Sequence, residues 1–228
     1  IYSEPRNNVF SQSKTFLEFE SKYDIKSSNI LFDRNLNTIS SKEVTEIDDK
    51  NNNKFLFNEG LIFNTFNEII SSKKILIKDQ NHNKYFFENS KLNLKNNEVV
   101  GKEVKVDFVN NYFGNENNDP ILKGSSIISN NEKTKIYKTV FSTCNKKDKN
   151  CRAWELQSEL FTHNKVKKLF EYEKSWFKVF EKKLFYLPYF NHPDPSVKRK
   201  SGFLNPFYKG SSNLGSSLTV PYFYSVSN

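Results

Sequence analysis

The 228-residue chain has no methionine, two cysteines, two tryptophans, and seven residues each of glycine and proline. Because it lacks an initiator methionine and its start (IYSE) has neither a basic nor an apolar signal-peptide region, we expect an internal fragment or a trimmed mature chain. No run of about 18 apolar residues occurs, which excludes a transmembrane helix but leaves transmembrane β-strands of about 10 alternating residues open. The length allows one or two domains with a real core.

The motifs of common enzyme classes are also missing. No GxSxG, HExxH, Walker or glycine-rich nucleotide motif occurs, and Asp194 lies between prolines in HPDP (192–195), which is typical of a rigid turn rather than of an acid or base. The three histidines, His82, His163 and His192, are scattered and do not have the spacing of a zinc site with the two cysteines. We therefore expect no catalysis, no cofactor and no metal.

Basic residues outnumber acidic ones by 35 to 26, which gives a net charge of +9 and a pI near 9.3. This charge permits nucleic acid, an anionic membrane surface or an anionic lipid as partner. Lysines alternate with glutamates and aspartates along most of the chain, so the acid-free stripe of a nucleic-acid-binding module is absent. We expect solvated strand faces and no nucleic-acid partner.

An internal repeat of about 30 residues runs through the first two thirds of the chain. Residues 39–44 (ISSKEV) recur as residues 70–75 (ISSKKI) and residues 99–104 (VVGKEV), and an apolar segment with an Asn-rich turn precedes each copy. Each unit is then a strand, a turn and a return strand, which together are too small to bury their own apolar face. The repeat therefore predicts that the units stack on one another.

Apolar and polar residues alternate with a period of two within these units, which predicts strands with one apolar face. Stacked strands of this kind form an all-β fold, which is an elongated antiparallel sandwich, jelly roll or solenoid. Residues 165–183 are interpreted as two strands around a turn at residues 171–174. The apolar face comprises Phe55, Phe57, Leu61, Phe63, Ile75, Ile77, Leu92, Leu94, Val104, Val106 and Phe108. These residues either fill a closed core or line an interior that is partly empty.

The C-terminal residues 184–228 combine aromatics, prolines and a basic cluster. Two aromatic-proline segments, residues 186–190 (YLPYF) and 220–224 (VPYFY), flank residues 201–206 (SGFLNP). Because proline lacks the backbone donor that a sheet ladder uses, the strands here are predicted to be edges or weak pairs.

This order of unlike residues, with Cys144 and Trp154 upstream, resembles the outer-membrane LPS-assembly proteins of Gram-negative bacteria (the LptD or OstA family). The resemblance is densest over residues 141–228, whereas the repeat region is similar only in pattern. It implies a periplasmic β-jelly roll of the LptA/OstA type over residues 1–198. The first strands of an outer-membrane β-barrel would follow over residues 199–228.

The resemblance also implies a function, which is the transport and assembly of lipopolysaccharide, with acyl chains in the groove formed by the apolar face. The implied location is the cell outer membrane, with this segment mostly periplasmic. The implied partners are lipopolysaccharide, an LptA-like periplasmic bridge and an LptE-like lipoprotein plug. The alternative is a periplasmic LptA-like bridge, or a β-solenoid interaction module, that has no gate.

Several residues take roles from the family pattern. Pro206 and Pro221, about 15 residues apart, match prolines that weaken the first barrel strands at a lateral gate, although prolines also mark strand ends. The basic cluster Lys198, Arg199 and Lys200 suits contact with lipid A phosphates, or orientation at a membrane surface.

The two cysteines, Cys144 and Cys151, frame a short polar loop. In an oxidising periplasm a local disulfide between them would stabilise the fold by about 2–3 kcal/mol, and we expect this pairing. The family pattern offers the alternative of a bridge from Cys144 to cysteines beyond the barrel.

Overall fold

The computed structural model describes residues 2–4, 8–11, 15–19, 23–109, 112, 120–143, 154–197, 201–203, 207–211, 215–219 and 221–224. Every regular element within these residues is a β-strand and every pairing is antiparallel, so the prediction of an all-β jelly-roll-like fold is confirmed. No helix in this part of the chain is long and apolar enough to cross a membrane.

The strands are short in the first half of the chain and long in the second. The short strands are β1 Tyr2–Glu4, β2 Asn8–Ser11, β3 Thr15–Phe19, β4 Tyr23–Ser27, β5 Ile30–Asp33, β6 Thr38–Ser41, β7 Thr45–Asp49, β8 Lys54–Phe57, β9 Leu61–Asn64, β10 Ile69–Ser72, β11 Ile75–Lys78, β12 Lys84–Phe87 and β13 Asn89–Asn93. The long strands are β14 Glu98–Asp107, β15 Ile121–Ser129, β16 Lys133–Ser142, β17 Trp154–Asn164, β18 Leu169–Val179 and β19 Lys182–Pro193. A final group comprises β20 Gly202–Phe203, β21 Phe207–Ser211, β22 Gly215–Thr219 and β23 Tyr222–Phe223.

The short strands form two walls. The first wall runs β1-β2-β5-β6-β9-β10-β13, and the second wall runs β3-β4-β7-β8-β11-β12. The two walls join in β14, because its residues 98–102 pair with β13 and its residues 105–107 pair with β12. From β14 to β19 each long strand passes through both walls and bends in the middle.

The predicted repeat has a structural counterpart, because β6, β10 and the start of β14 hold equivalent positions in the first wall. The turns before β6, β10, β14 and β18 also share one chemistry: Asp33, Asn64, Asn93 and Asn164 each accept a backbone N–H three residues later. Each turn then ends in a left-handed residue, namely Asn37, Glu68, Asn97 or Lys168. The turns stack by backbone hydrogen bonds, as where the N–H of Thr65 donates to the carbonyl of Asn37 at 2.8 Å.

The predicted turn at residues 171–174 is wrong, because β18 is continuous from Leu169 to Val179. The polar run instead marks the bend of this strand, where Lys174 has a φ of 49°. Phe170 and Tyr172 are buried before the bend and Ser175 after it, so the inward alternation shifts by one residue. Two consecutive outward residues at a bend therefore have the sequence pattern of a turn.

Small residues occupy the line along which the chain crosses between the walls. The buried Ser27 hydroxyl hydrogen-bonds the hydroxyls of Ser41 at 2.9 Å and Thr45 at 2.8 Å, and Ser175 donates to Ser158 at 2.7 Å. These pairs satisfy polar groups that would otherwise be costly inside the protein. The bend line is therefore a thin polar seam beside an apolar core.

Gly60 on this line tests how tightly neighbouring crossings of the chain approach each other. Its φ is +75°, and an added Cβ would lie 2.0 Å from the carbonyl oxygen of Ser41. We expect Gly60→Ala to lower the free energy of unfolding by about 3 kcal/mol or more, because left-handed strain adds to a clash with backbone. Urea denaturation measures the loss. The control Asn97→Ala, at a left-handed position that already carries a Cβ, should lose only about 1 kcal/mol; equal losses would contradict a steric role for Gly60.

Candidate functional site

A cavity of about 540 Å³ lies between the two walls. Its mouth is polar and lies between turns of both walls, including Asp49 and Asn81 from the second wall and Asn97 from the first. Its interior is apolar and continues into the core of the fold. The cavity has the size of an ordinary ligand pocket, which spans about 300–1,000 Å³.

The structure divides the eleven predicted groove residues by depth. Five are packed in the core away from the cavity and are almost completely buried: Phe57, Leu61, Phe63, Ile75 and Val104. Six line the cavity, namely Phe55, Ile77, Leu92, Leu94, Val106 and Phe108. The alternation predicted from the sequence thus brings all eleven to one interior, and whether a lipid enters it stays a prediction.

Two loops of the second wall build the mouth with the same motif, D-x-N-x-N at residues 49–53 and 79–83. In each loop one oxygen of the aspartate accepts the N–H groups of the second and fourth residues after it, at 2.8–2.9 Å. The other oxygen of Asp79 accepts the Asn83 amide at 2.9 Å and the Tyr85 hydroxyl at 3.1 Å. Burial, followed by the negative charge of Asp79, raises the pKa of Tyr85 well above its ordinary value. Tyr85 is therefore a neutral donor in the cavity at any physiological pH.

Aromatic side chains replace aliphatic ones toward the last strands. In the second wall Phe141, Trp154, Phe177 and Phe185 form a ladder across β16 to β19, with successive ring centroids 5.9, 5.9 and 4.9 Å apart. In the first wall Phe161 contacts Tyr172 at 5.1 Å, and Tyr172 contacts Phe190 at 5.8 Å. Aromatic side chains therefore line the interior where it reaches the edge strand β19.

Sequence reasoning missed a buried contact between a histidine and an aspartate. The His163 ring nitrogen Nε2 lies 2.7 Å from Asp194 Oδ2, and Asp194 is only 7% exposed. Asp194 also caps its own turn, because its other oxygen accepts the Ser196 N–H at 2.7 Å. The predicted turn is therefore present and holds a buried carboxylate. One feature of the sequence could have indicated this contact. His163 and Asp194 are separated by about 30 residues, which is the length of the repeat.

The remaining predicted residues lie mostly outside the described part of the chain. These are Cys144, Cys151, Lys198, Arg199, Lys200 and Pro206. Pro221 is described and half-buried. Nearby, Phe203 pairs with Tyr222 and Phe207 pairs with Thr219. Within the described residues, no group of three or more histidine, cysteine, aspartate or glutamate side chains is arranged to hold a metal ion.

The fold and cavity define an all-β antiparallel protein whose two walls enclose an apolar interior. A 74-residue segment, 32% of the chain, is 38% identical to the LPS-assembly protein LptD of Idiomarina loihiensis. The segment covers 10% of that relative's length, so the chain is similar to a small part of LptD. No protein-family model matches the chain.

The two buried histidines predict a pH-dependent stability. Burial lowers the pKa of His163 and of His192, and the charge of Asp194 opposes the shift in both. Between the lowered values and about 6.5 the unfolded chain binds more protons than the folded one, so stability rises with pH. We expect full stability above about pH 7 and a loss as the pH falls through about 6.5, at up to about 1.4 kcal/mol per pH unit for each histidine.

Urea denaturation over this pH range measures the slope. His163→Gln and His192→Gln should each reduce the slope of unfolding free energy against pH. Asp194→Asn should increase this slope, because it removes the negative charge that opposes the lowering of the histidine pKa values. His82→Asn, at an exposed turn, is the matched control and should leave it unchanged. A slope that neither buried histidine affects would contradict this assignment.

Proposed function

We propose that this chain carries lipopolysaccharide at the outer membrane of a Gram-negative cell, with acyl chains in the cavity between the walls. The observation that carries the proposal is the continuous apolar interior, which opens into a cavity of about 540 Å³ with a polar mouth. An amphipathic lipid matches this division, because its acyl chains avoid water and its sugars do not. The partial similarity to LptD supports the same substrate class.

The mouth suits a sugar headgroup. Exposed amides of Asn51, Asn81 and Asn131 line it, and amide groups both donate and accept hydrogen bonds. The six cavity-lining residues of the groove then hold the acyl chains below. A lipid that moves toward β19 would pass from aliphatic to aromatic lining side chains.

The C-terminal region provides the exit in this proposal. Lys198, Arg199 and Lys200 meet the lipid phosphates, because charge-assisted hydrogen bonds to phosphate are strong. Pro206 and Pro221 weaken the first strands of a barrel and form a lateral gate. We accordingly place residues 1–198 in a periplasmic jelly roll and residues 199–228 at the start of a barrel.

The proposed partners follow from this arrangement. They are lipopolysaccharide, the outer membrane, an LptA-like periplasmic bridge and an LptE-like lipoprotein plug. The second candidate is an LptA-like bridge or a β-solenoid interaction module without a gate, which the stacked repeats and stacked turns favour. The gate experiment below separates the two.

Photocrosslinking tests whether lipid occupies the cavity. In the full-length protein, a photoreactive residue at Ile77 or Phe55 should capture lipopolysaccharide, because both side chains line the cavity. Leu76 and Leu56 are matched controls, since these apolar neighbours point to the opposite face of the same strands. Capture is read as a mobility shift that an antibody to lipopolysaccharide detects. Equal capture from inward and outward positions would contradict the groove.

Substitution of the two prolines tests the gate. Pro206→Ala combined with Pro221→Val supplies two backbone donors, and each restored hydrogen bond adds about 0.5–1.5 kcal/mol. We expect a more stable barrel, less lipopolysaccharide at the cell surface, and accumulation of lipid at Ile77 in the crosslinking assay. Pro188→Ala, at the bend of β19, is the control and should leave export unchanged. Unchanged export in the double variant would remove the gate and favour the bridge or solenoid module.

A further inference from the structure

The hairpin that joins β18 to β19 has an unusual tip. Its two turn residues, Phe180 and Glu181, have φ values of 45° and 66°. Turns with two left-handed residues favour Asn-Gly, whereas a bulky aromatic residue is strained there. Phe180 nevertheless occupies the first position with 70% of its surface exposed. The chain thus accepts strain that presents an aromatic ring to the surroundings.

A bulge adds a second apolar side chain beside the ring. Phe177 pairs with Phe185, but the next residue, Lys178, pairs with Lys183, so Leu184 has no opposite residue. Leu184 is 60% exposed. Two large apolar side chains therefore project at one end of the hairpin, outside the core.

Basic and amphipathic aromatic side chains surround this tip. Residues 176–186 contain three lysines, Lys178, Lys182 and Lys183, against one glutamate. The Lys183 Nζ lies 4.8 Å from the centre of the Trp176 ring, and Trp176 contacts Tyr186 at 5.1 Å. Lysines with tryptophan and tyrosine behind an apolar tip are typical of segments that enter a lipid–water interface.

We propose that the β18–β19 tip, residues 178–184, docks the chain on an anionic lipid surface. Phe180 and Leu184 enter the headgroup region, the three lysines approach anionic headgroups, and Trp176 with Tyr186 lies at the interface. Charge decides between a membrane and a second protein, because three lysines around two apolar side chains match a surface of uniform negative charge. The inference does not rest on lipid transport, since none of these residues lines the cavity.

Vesicle flotation with the 228-residue chain tests the proposal. The chain should bind phosphatidylcholine vesicles that contain phosphatidylglycerol more tightly than phosphatidylcholine alone. Phe180→Asn should weaken binding about tenfold, because an apolar ring no longer enters the interface. It should keep or raise stability in urea, because asparagine favours the left-handed conformation. Lys182→Gln and Lys183→Gln should each weaken binding about fivefold.

Phe66→Asn is the matched control, because Phe66 is 82% exposed in a turn of the first wall, outside the tip. It should leave vesicle binding unchanged. The proposal is overturned if Phe66→Asn and Phe180→Asn weaken binding equally, or if phosphatidylglycerol makes no difference. It is also overturned if Phe180→Asn changes only self-association in sedimentation, which would make the tip a contact between protein chains. If the chain binds vesicles but lipid is not crosslinked at Ile77, the transport proposal is contradicted and the docking proposal is not.

Discussion

The structure depends on the mutual covering of two walls, each of which has one apolar face. Phe63 and Ile70 of the first wall and Phe57 and Ile75 of the second are at most 2% exposed, because each wall excludes water from the other. Burial of such a side chain contributes about 1.5–3 kcal/mol, and no single hairpin has an opposing surface of its own. The repeats are therefore stable only as a stack, in which the turns also exchange backbone hydrogen bonds.

Two walls made from one chain require a bend in every long strand. In β14, β16 and β18 the inward alternation shifts by one residue at the bend, where Glu103, Lys138 and Lys174 take the left-handed conformation. Such strain persists where the surrounding ladder fixes the backbone on both sides. Serines, threonines and Gly60 fill the bend line, and a Cβ at Gly60 would meet the backbone of Ser41 and Lys42 in a neighbouring crossing of the chain.

The types of side chain that line the interior change along the stack of strands. The first strands contribute mainly isoleucine, such as Ile25 and Ile47, whereas the last contribute Trp154, Phe161 and Tyr172. The edge strand β19 has no following strand in its sheet among the described residues, so aromatic side chains become exposed along it. The proposed lipid path and the proposed membrane-docking tip both use this end of the fold. An apolar interior that ends beside an interfacial tip would deliver a lipid close to a membrane.

The sequence by itself determined the fold class, because strand alternation and the 30-residue repeat are local patterns that antiparallel pairing preserves. It also determined which side chains share the interior, since successive residues of a strand point to opposite faces. Residues 171–174 were interpreted wrongly, because a bend, like a turn, places two consecutive polar residues outside the core, here Glu173 and Lys174. Only the tertiary structure decided which of the eleven groove residues line the cavity and that His163 meets Asp194. Depth in the cavity and contacts between distant strands depend on how the two walls close on each other, which no local pattern contains.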